Sequence, residues 1–300
     1  MAYGSPNRPE EVEPYYTHIR GGRTPSVEEV ANLKERYAAI GGKSPLLEIT
    51  FSTAGKLEAR LGNETRVYAG MKHWHPYINE VFDQISNDGT TELTAIALAP
   101  HYSKMSVGSY QDAVKAANSA RGEKIKLHFV NQWCDNQDFL DSWTKKIQKR
   151  INEKFDNISG DQVFVLFTAH SLPERILSWG DPYKKQLLDT EAELARRLGL
   201  ANRQHTFAFQ SAGHTSEPWL GPEILDKIRE LVSLGTKNIL VAPIGFVSDH
   251  LEILYDIDVE AMSLSKELGF HLERTESFND TDDFVNVLYS VVKSNADETV

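Results

Sequence analysis

The sequence predicts an α/β protein whose strands form parallel sheets, and three observations lead to this fold class. Short, continuous apolar runs such as Val163–Thr168 are typical of strands that are covered on both faces. Longer amphipathic segments separate these runs along the chain, which is the pattern of repeated βαβ units. The chain of 300 residues is long enough for two domains with separate cores. We therefore expect two similar Rossmann-like domains, each a parallel sheet flanked by helices.

The individual elements follow from these two patterns in chain order. Apolar runs closed by polar or turn-forming residues predict strands at Val67–Met71, Ala95–Ala99, Lys126–Val130, Val163–Thr168, His205–Gln210 and Asn238–Pro243. Amphipathic spacing predicts helices at Ser26–Ile40, Pro45–Leu61, Tyr77–Asn87, Tyr110–Arg121, Gln137–Phe155, Asp181–Leu198, Pro222–Leu234 and Asp282–Lys293.

A domain boundary is predicted at the polar, turn-forming segment Asn157–Asp161. The N-terminal domain would then comprise residues 1–156 and the C-terminal domain residues 157–300. A weak duplication supports two related halves, because the segment that begins Ala2-Tyr3-Gly4 is similar to Ala169-His170-Ser171. Two such halves facing each other would place Tyr3 and His170 at comparable strand ends on opposite walls of one cleft.

Charge and composition exclude several functional classes. The net charge of −11 argues against broad nucleic-acid binding and against attraction to an anionic membrane surface. No apolar run approaches the roughly 20 residues that span a bilayer, and no signal-peptide pattern opens the chain, so we expect a cytoplasmic protein. Cys134 is the sole cysteine, which excludes an intrachain disulfide and an iron–sulfur cluster held by several thiolates.

The most informative segment is Phe164–Glu174, which reads as a buried strand that ends on a histidine and turns into a helix. Ser171 is predicted to cap that helix, with Glu174 at capping-box spacing and Pro173 at an early helical position. This arrangement places His170 at the carboxyl end of a strand, where open α/β sheets bind their ligands. Simple packing of the histidine is the alternative.

A second strand–turn–helix segment runs from Asn238 to Glu260 and carries a row of acids. Four-residue spacing would place Glu252, Asp256 and Glu260 on one face of a helix. A solvated helix face is the alternative to a cation path, but the row starts close to a strand end, where a cleft is expected. Imidazole and carboxylate donors together suit a borderline divalent ion such as Fe²⁺.

Several multi-residue motifs stand in order along the chain: Ala169–Glu174, Gln210–Gly213, Pro218–Pro222 and Gly245–Glu252. Together they resemble the ferrochelatase family, most closely the soluble coproporphyrin III ferrochelatases of Gram-positive bacteria, and the likeness extends over nearly the whole chain. The resemblance implies chelatase-type domains with a porphyrin cleft between them. It also implies a lyase that inserts Fe²⁺ into coproporphyrin III in haem biosynthesis, with Fe²⁺ as substrate and no organic cofactor.

The resemblance also assigns the metal-handling residues. His170 and Glu252 match the histidine and glutamate that bind Fe²⁺ and take up the pyrrole protons, and the order of their roles stays open. Asp256 and Glu260 would extend an outer metal path. Tyr3 matches a tyrosine axial to the product iron, although a chain that begins at Met1 leaves almost no strand before it.

Porphyrin contacts are predicted from the same resemblance. Arg20 matches an arginine that pairs with a propionate, whereas Gly21 stands where many relatives have a second arginine. The other residues that match polar contacts to the macrocycle carboxylates are Arg36, Tyr37, Ser44 and Tyr110.

Alternative functions remain open at this point. They are a protoporphyrin IX ferrochelatase, a cobalt or nickel chelatase of a related tetrapyrrole, and a non-catalytic haem or porphyrin carrier. The two histidines of Lys72–His75, placed on one face of a strand, also leave a second metal site open. As partners we expect coproporphyrin III and Fe²⁺, with a transient hand-off of product to a downstream haem-synthesis enzyme by a monomeric protein.

Overall fold

A computed structural model describes residues 1–155, 162–213 and 215–297. Two parallel sheets organise this part of the chain. The smaller sheet pairs β1 (Glu92–Ile96) with β2 (Lys126–Val130), and the larger one has the strand order β4-β3-β5-β6. The strands of the larger sheet are β3 (Phe164–His170), β4 (His205–Gln210), β5 (Asn238–Ala242) and β6 (His271–Arg274). The predicted α/β class with parallel strands is confirmed.

The strand predictions differ from the structure at three places. The predicted strand Ala95–Ala99 is placed three residues too late, because β1 runs from Glu92 to Ile96. The predicted strand Val67–Met71 is not regular, and Met71 instead makes isolated bridges to Ala2 and Tyr77. Strand β6 was not predicted, because it has four residues and only Leu272 is fully buried. An edge strand with so little apolar sequence gives no strand pattern of its own.

Residues 1–3 act as a further short strand beside β1. The Met1 ammonium donates to the Ile96 carbonyl at 2.7 Å, and the Met1 carbonyl accepts from Leu98 at 2.9 Å. On the other side, the carbonyls of Ala2 and Tyr3 accept from the backbone of residues 72 and 73 at 2.9 and 2.8 Å. Tyr3 therefore lies on backbone that is hydrogen-bonded to both neighbours, despite the short sequence before it.

The predicted helices are confirmed to within a few residues at each end. The α-helices are α1 (Val12–Ile19), α2 (Val27–Ala39), α3 (Leu46–Leu61), α4 (Ile78–Asn87), α5 (Ser109–Ser119), α6 (Gln137–Lys154), α7 (Arg175–Ser178), α8 (Tyr183–Leu198), α9 (Ile224–Ser233), α10 (Met262–Leu268) and α11 (Asp282–Asp297). A 3₁₀ turn covers Pro9–Glu11, and two π-helical segments cover Lys104–Gly108 and Ile253–Ala261.

The predicted capping of the helix after β3 is wrong. Helix α7 begins at Arg175, and Ser171 donates its hydroxyl to the Leu220 carbonyl at 2.7 Å instead of capping a helix. Pro173 forms an isolated bridge with Trp219. The segment after His170 is thus held by the loop before α9, and this tertiary contact replaces the local capping box.

The core of the larger sheet lies on both of its faces. Val165, Phe167 and Ala169 pack with residues of α6, α8 and α11, whereas Leu166 packs with α9 and the Ile253–Ala261 segment. All four side chains are fully buried. Because burial of such a side chain is worth about 1.5–3 kcal/mol, β3 is firmly fixed and its last residue, His170, has a defined position.

The predicted domain boundary at 157–161 lies outside the described residues, and the division at 156/157 stays a prediction. None of the helices in the described ranges combines the length and apolar character needed to cross a membrane.

Candidate active site

The structure brings His170 and Glu252 together. His170 ends β3, and Glu252 immediately precedes the π-helical segment that follows β5. The His170 Nε2 atom lies 3.4 Å from Glu252 Oε1, and each side chain is about one-third exposed, at 32% and 31%. The two residues are 82 positions apart in the chain, so the parallel β3–β5 pairing is what makes them neighbours.

Hydrogen bonds orient the imidazole of His170. Its Nδ1 contacts the Ser171 carbonyl, so Nδ1 carries a proton and Nε2 points at the carboxylate. Tyr183 donates its hydroxyl to the His170 carbonyl at 3.0 Å and holds the strand end. An imidazole fixed in this way presents one nitrogen to a metal ion or to an acidic proton.

The electrostatics favour an imidazolium–carboxylate pair in the absence of metal. Burial alone would lower the pKa of His170, but the charge of Glu252 and the hydrogen bond to it raise that pKa above its ordinary value. Burial would likewise raise the pKa of Glu252, yet the contacts with His170 and His250 hold it well below its usual range. A cation that binds between the two groups would therefore release a proton.

His250 is a site residue that was not predicted. Its Nδ1 donates to the Ser248 carbonyl at 2.9 Å, and its Nε2 lies 3.4 Å from Glu252 Oε2. Glu252 is thus flanked by an imidazole on each oxygen. His250 belongs to the Gly245–Glu252 motif, so the sequence did mark this histidine as part of a conspicuous segment. Its position two residues before Glu252 did not by itself indicate that the two side chains are in contact.

Asp256 is almost completely buried, with 6% of its side chain exposed. Its Oδ2 accepts from the Ser211 hydroxyl and, at 3.4 Å, from the Gln210 amide, while its Oδ1 pairs with Arg36 at 2.7 Å. Burial and the charge of Glu252 raise its pKa, and Ser211 and Arg36 oppose that shift. A solvated helix face is therefore excluded for Asp256.

The row of acids continues to Glu260, although not in the α-helix that the spacing suggested. Residues 253–261 form a π-helical segment, whose i→i+5 hydrogen bonds widen the turn. Glu260 is partly buried, and burial together with the charge of Asp256 raises its pKa. Each carboxylate thus affects the next one in the row, and the outer metal path stays a prediction.

Tyr3 faces this acidic row from the N-terminal half of the chain. Loss of solvation and the charge of Glu252 raise the pKa of Tyr3, although 41% of the residue is exposed. Burial raises the pKa of Tyr110, and that of Tyr37 to about 12, with a smaller contribution from the charge of Glu252. The three phenols predicted to contact a porphyrin are therefore neutral near pH 7.

Tyr37, Ser44 and Tyr110 are buried, with 3%, 3% and 6% of each residue exposed. The Tyr37 hydroxyl lies 3.1 Å from that of Ser5, and the Ser44 hydroxyl accepts from the Leu46 backbone at 3.3 Å. The hydroxyls of Tyr37 and Ser44 therefore already have partners within the protein. Ser44 accepts its hydrogen bond at the start of α3, which is a structural role that the sequence did not indicate.

Both predicted propionate-binding arginines already have carboxylate partners. Arg20 Nη1 lies 2.5 Å from Glu29 Oε1, and Arg36 pairs with Asp256. The turn after Arg20 explains why an arginine is missing there: Gly21 and Gly22 have φ values of +65° and +88°, a region in which glycine is favoured.

The structure does not bring together the two histidines of Lys72–His75, which left a second metal site open. His73 Nδ1 lies 3.2 Å from His18 Nδ1, whereas His75 pairs with Glu80 at 3.0 Å, so the two histidines have different neighbours. Burial and nearby positive charge lower the pKa of His73 to about 3. Across the described residues, no three His, Cys, Asp or Glu side chains form a ready-made metal site.

A surface cavity of about 600 Å³ lies beside this region. It is lined by α1 and the segment around Trp74, and it includes His18, His75 and Tyr77. Neither His170 nor Glu252 lines it. The paired imidazole and carboxylate therefore lie outside this cavity.

Gly245 supports the strand end that carries His170. A Cβ atom at position 245 would lie 2.3 Å from the Ala169 Cβ and 2.8 Å from its Cα. We expect Gly245→Ala to lower the free energy of unfolding by about 1–3 kcal/mol and to reduce activity by displacing His170. Chemical denaturation measures the first effect.

Gly55→Ala is the matched control for this substitution, because no atom lies within 4 Å of the added Cβ in α3. Helix propensity predicts that it raises stability by up to about 1 kcal/mol. Equal effects of the two substitutions would contradict the packing role of Gly245.

The fold and this site together define a class of protein. Two solved structures share the fold: CbiX, the terminal enzyme for biosynthesis of siroheme in denitrifying bacteria, and the sirohydrochlorin chelatase SirB from Bacillus subtilis subspecies spizizenii in complex with cobalt. CbiX has a TM-score of 0.58 at 13% identity, covering 98% of this chain and 96% of that chain. SirB has a TM-score of 0.57 at 12% identity, covering 83% and 90%. The architecture is the chelatase fold.

Sequence comparison gives the family. The ferrochelatase family model matches residues 1–296, and the chain therefore belongs to the ferrochelatase family of metal-chelating lyases. A ferrochelatase from Herpetosiphon aurantiacus is 47% identical over 97% of this chain and 96% of its own length. A coproporphyrin III ferrochelatase from Geobacillus thermodenitrificans is 42% identical over 97% and 93%. The family resemblance found in the sequence is confirmed.

Proposed function

We propose that this chain inserts Fe²⁺ into coproporphyrin III as a step of haem biosynthesis. The observation that carries the proposal is the His170–Glu252 pair, with Nε2 and Oε1 3.4 Å apart between the end of β3 and the start of the π-helical segment. Family membership supplies the reaction, and relatives named coproporphyrin III ferrochelatases, about 40% identical over nearly the whole chain, support the choice of porphyrin.

The proposed mechanism balances charge through the two site residues. Fe²⁺ approaches along Glu260 and Asp256 and reaches Glu252 and His170, where it displaces the proton shared by the pair. Metal bonding to the macrocycle then releases two pyrrole protons: one restores the imidazolium–carboxylate pair of His170 and Glu252, and the other passes by way of this pair to solvent. No electron transfer and no organic cofactor are needed, because iron stays divalent and is itself a substrate.

Tyr3 and Arg20 would hold the porphyrin on the opposite side. The neutral phenol of Tyr3 can approach the product iron along its axis, while Arg20 can exchange Glu29 for a propionate of the macrocycle. That exchange is reasonable because the Arg20–Glu29 pair is partly exposed, at 30% and 42%, and exposed ion pairs are worth only about 0–1 kcal/mol.

Substrate choice is the decisive test of the proposal. Coproporphyrin III carries four carboxylates and protoporphyrin IX two, so polar partners around the ring edge favour the tetra-acid. We expect kcat/KM for coproporphyrin III to exceed that for protoporphyrin IX by roughly tenfold or more, the size of one to two hydrogen bonds to charged groups. Initial rates under anaerobic conditions measure this ratio.

The alternatives give different results in the same assay. Equal or better kcat/KM for protoporphyrin IX would overturn the coproporphyrin assignment and keep the ferrochelatase one. Faster insertion of Co²⁺ or Ni²⁺ than of Fe²⁺ would favour a chelatase of another tetrapyrrole. Binding of haem without any turnover of metal-free porphyrin would identify a carrier. The cytoplasmic location, monomeric state and hand-off of product to a downstream enzyme remain predictions.

A further inference from the structure

Arg36 connects the two halves of the chain at the acidic row. It lies in the last turn of α2, and its Nη2 contacts the Asp256 Oδ1 at 2.7 Å, across 220 residues of sequence. The guanidinium carbon also lies 4.4 Å from the centre of the Tyr255 ring, which is a cation–π contact. Arg36 is thus held by two consecutive residues of the π-helical segment.

These contacts leave Arg36 poorly placed to bind a propionate. Its Nε is buried and has no hydrogen-bond partner in the part of the chain that the structure describes. To turn towards a porphyrin, Arg36 would have to leave a carboxylate that is 94% buried. A buried charge that loses its partner is strongly unfavourable, whereas the partly exposed Arg20–Glu29 pair can open at little cost.

The charge around Asp256 indicates what Arg36 does instead. Asp256 stands between Glu252 and Glu260 in the row, and Arg36 is the guanidinium that contacts it, at 2.7 Å. Without metal, the guanidinium therefore reduces repulsion among adjacent carboxylates. A divalent cation bound to the same carboxylates would repel the guanidinium and would itself neutralise their charge, so that Arg36 would no longer be needed for this purpose.

We propose, resting on the function proposed above, that Arg36 is the resident counter-ion of the metal path. It occupies Asp256 while no metal is present and must release this carboxylate before a divalent cation can use it. Arg36 therefore tunes the affinity for the metal more than the affinity for the porphyrin. Since it acts on the metal through Asp256, it is a positioning residue.

The test measures metal binding without turnover. Zn²⁺ serves as a redox-stable probe, and its Kd for the full porphyrin-free chain is obtained by competition with a chromophoric chelator. We expect Arg36→Gln to lower the Zn²⁺ Kd on the order of tenfold, since one positive charge next to the path is removed. Arg36→Met, which keeps an apolar contact with Tyr255, should do the same if Arg36→Gln folds poorly. Arg36→Lys should stay near the wild type.

Two further variants make the result specific. Arg20→Gln is the matched control, because it removes an equivalent ion pair away from the acidic row; it should raise the porphyrin KM more than it changes the Zn²⁺ Kd. Adding Asp256→Asn to Arg36→Gln should abolish the gain in Zn²⁺ affinity.

An unchanged Zn²⁺ Kd, together with a raised porphyrin KM in Arg36→Gln, would show that Arg36 holds a propionate and would overturn the proposal. A gain that survives Asp256→Asn would overturn it as well. A wild-type chain that binds Zn²⁺ but never metallates coproporphyrin III would instead refute the proposed function and leave the counter-ion result standing.

Discussion

Replacement of His170 by alanine is expected to lower the rate of iron insertion by about a hundredfold or more, the usual range for loss of a positioned proton acceptor. The same change also removes a metal donor, so both roles assigned to the imidazole are lost together. The fold should persist, because the side chain is 32% exposed and the strand is anchored by the residues before it. Anaerobic initial rates at saturating Fe²⁺ measure the loss.

A matched histidine makes this expectation specific. His271 Nε2 lies 3.4 Å from Glu273 Oε1, the same separation as in the His170–Glu252 pair, but His271 begins the edge strand β6. His271→Ala should therefore leave kcat within about twofold, as surface changes away from a site usually do. Near-wild-type turnover in His170→Ala, or equal losses in the two variants, would remove His170 from the mechanism.

His170 could be predicted from sequence because its signal is local. The continuous apolar run Val163–Phe167 indicates a buried strand, and the histidine follows three residues later, where the strand ends. Glu252 was predicted from the four-residue spacing of the acids and from the family resemblance. The sequence did not predict the parallel pairing of β3 with β5, which brings the segment after β5 next to His170.

Contacts between distant segments could not be predicted in this way. Ser171 has the sequence context of a helix cap, but the Leu220 carbonyl, 49 residues away, takes its hydroxyl. Arg36 was assigned to the porphyrin through resemblance, and its pairing with Asp256 depends on how α2 packs against the π-helical segment. Such partners are set by tertiary packing, which single-residue patterns do not contain.

The acids of the metal path should differ in importance according to their distance from His170. Glu252 contacts His170 directly, whereas Glu260 lies beyond Asp256 and is only partly buried. We expect Glu252→Gln to lower kcat/KM for Fe²⁺ by roughly tenfold to a hundredfold, because an amide neither takes up a proton nor offers an anionic donor to iron.

The change from Glu252 to glutamine keeps the shape of the side chain, so a loss of activity would report charge and proton transfer more than packing.

Glu260→Gln should lower kcat/KM for Fe²⁺ less than Glu252→Gln does. It should act on the KM for Fe²⁺ more than on kcat, since an outer residue affects delivery of the ion and not the step at the macrocycle. Glu273→Gln, in the distant pair with His271, is the matched control and should have no effect. A larger loss from Glu260→Gln than from Glu252→Gln would place the inner site further along the π-helical segment, and His170 would then no longer mark where iron meets the porphyrin.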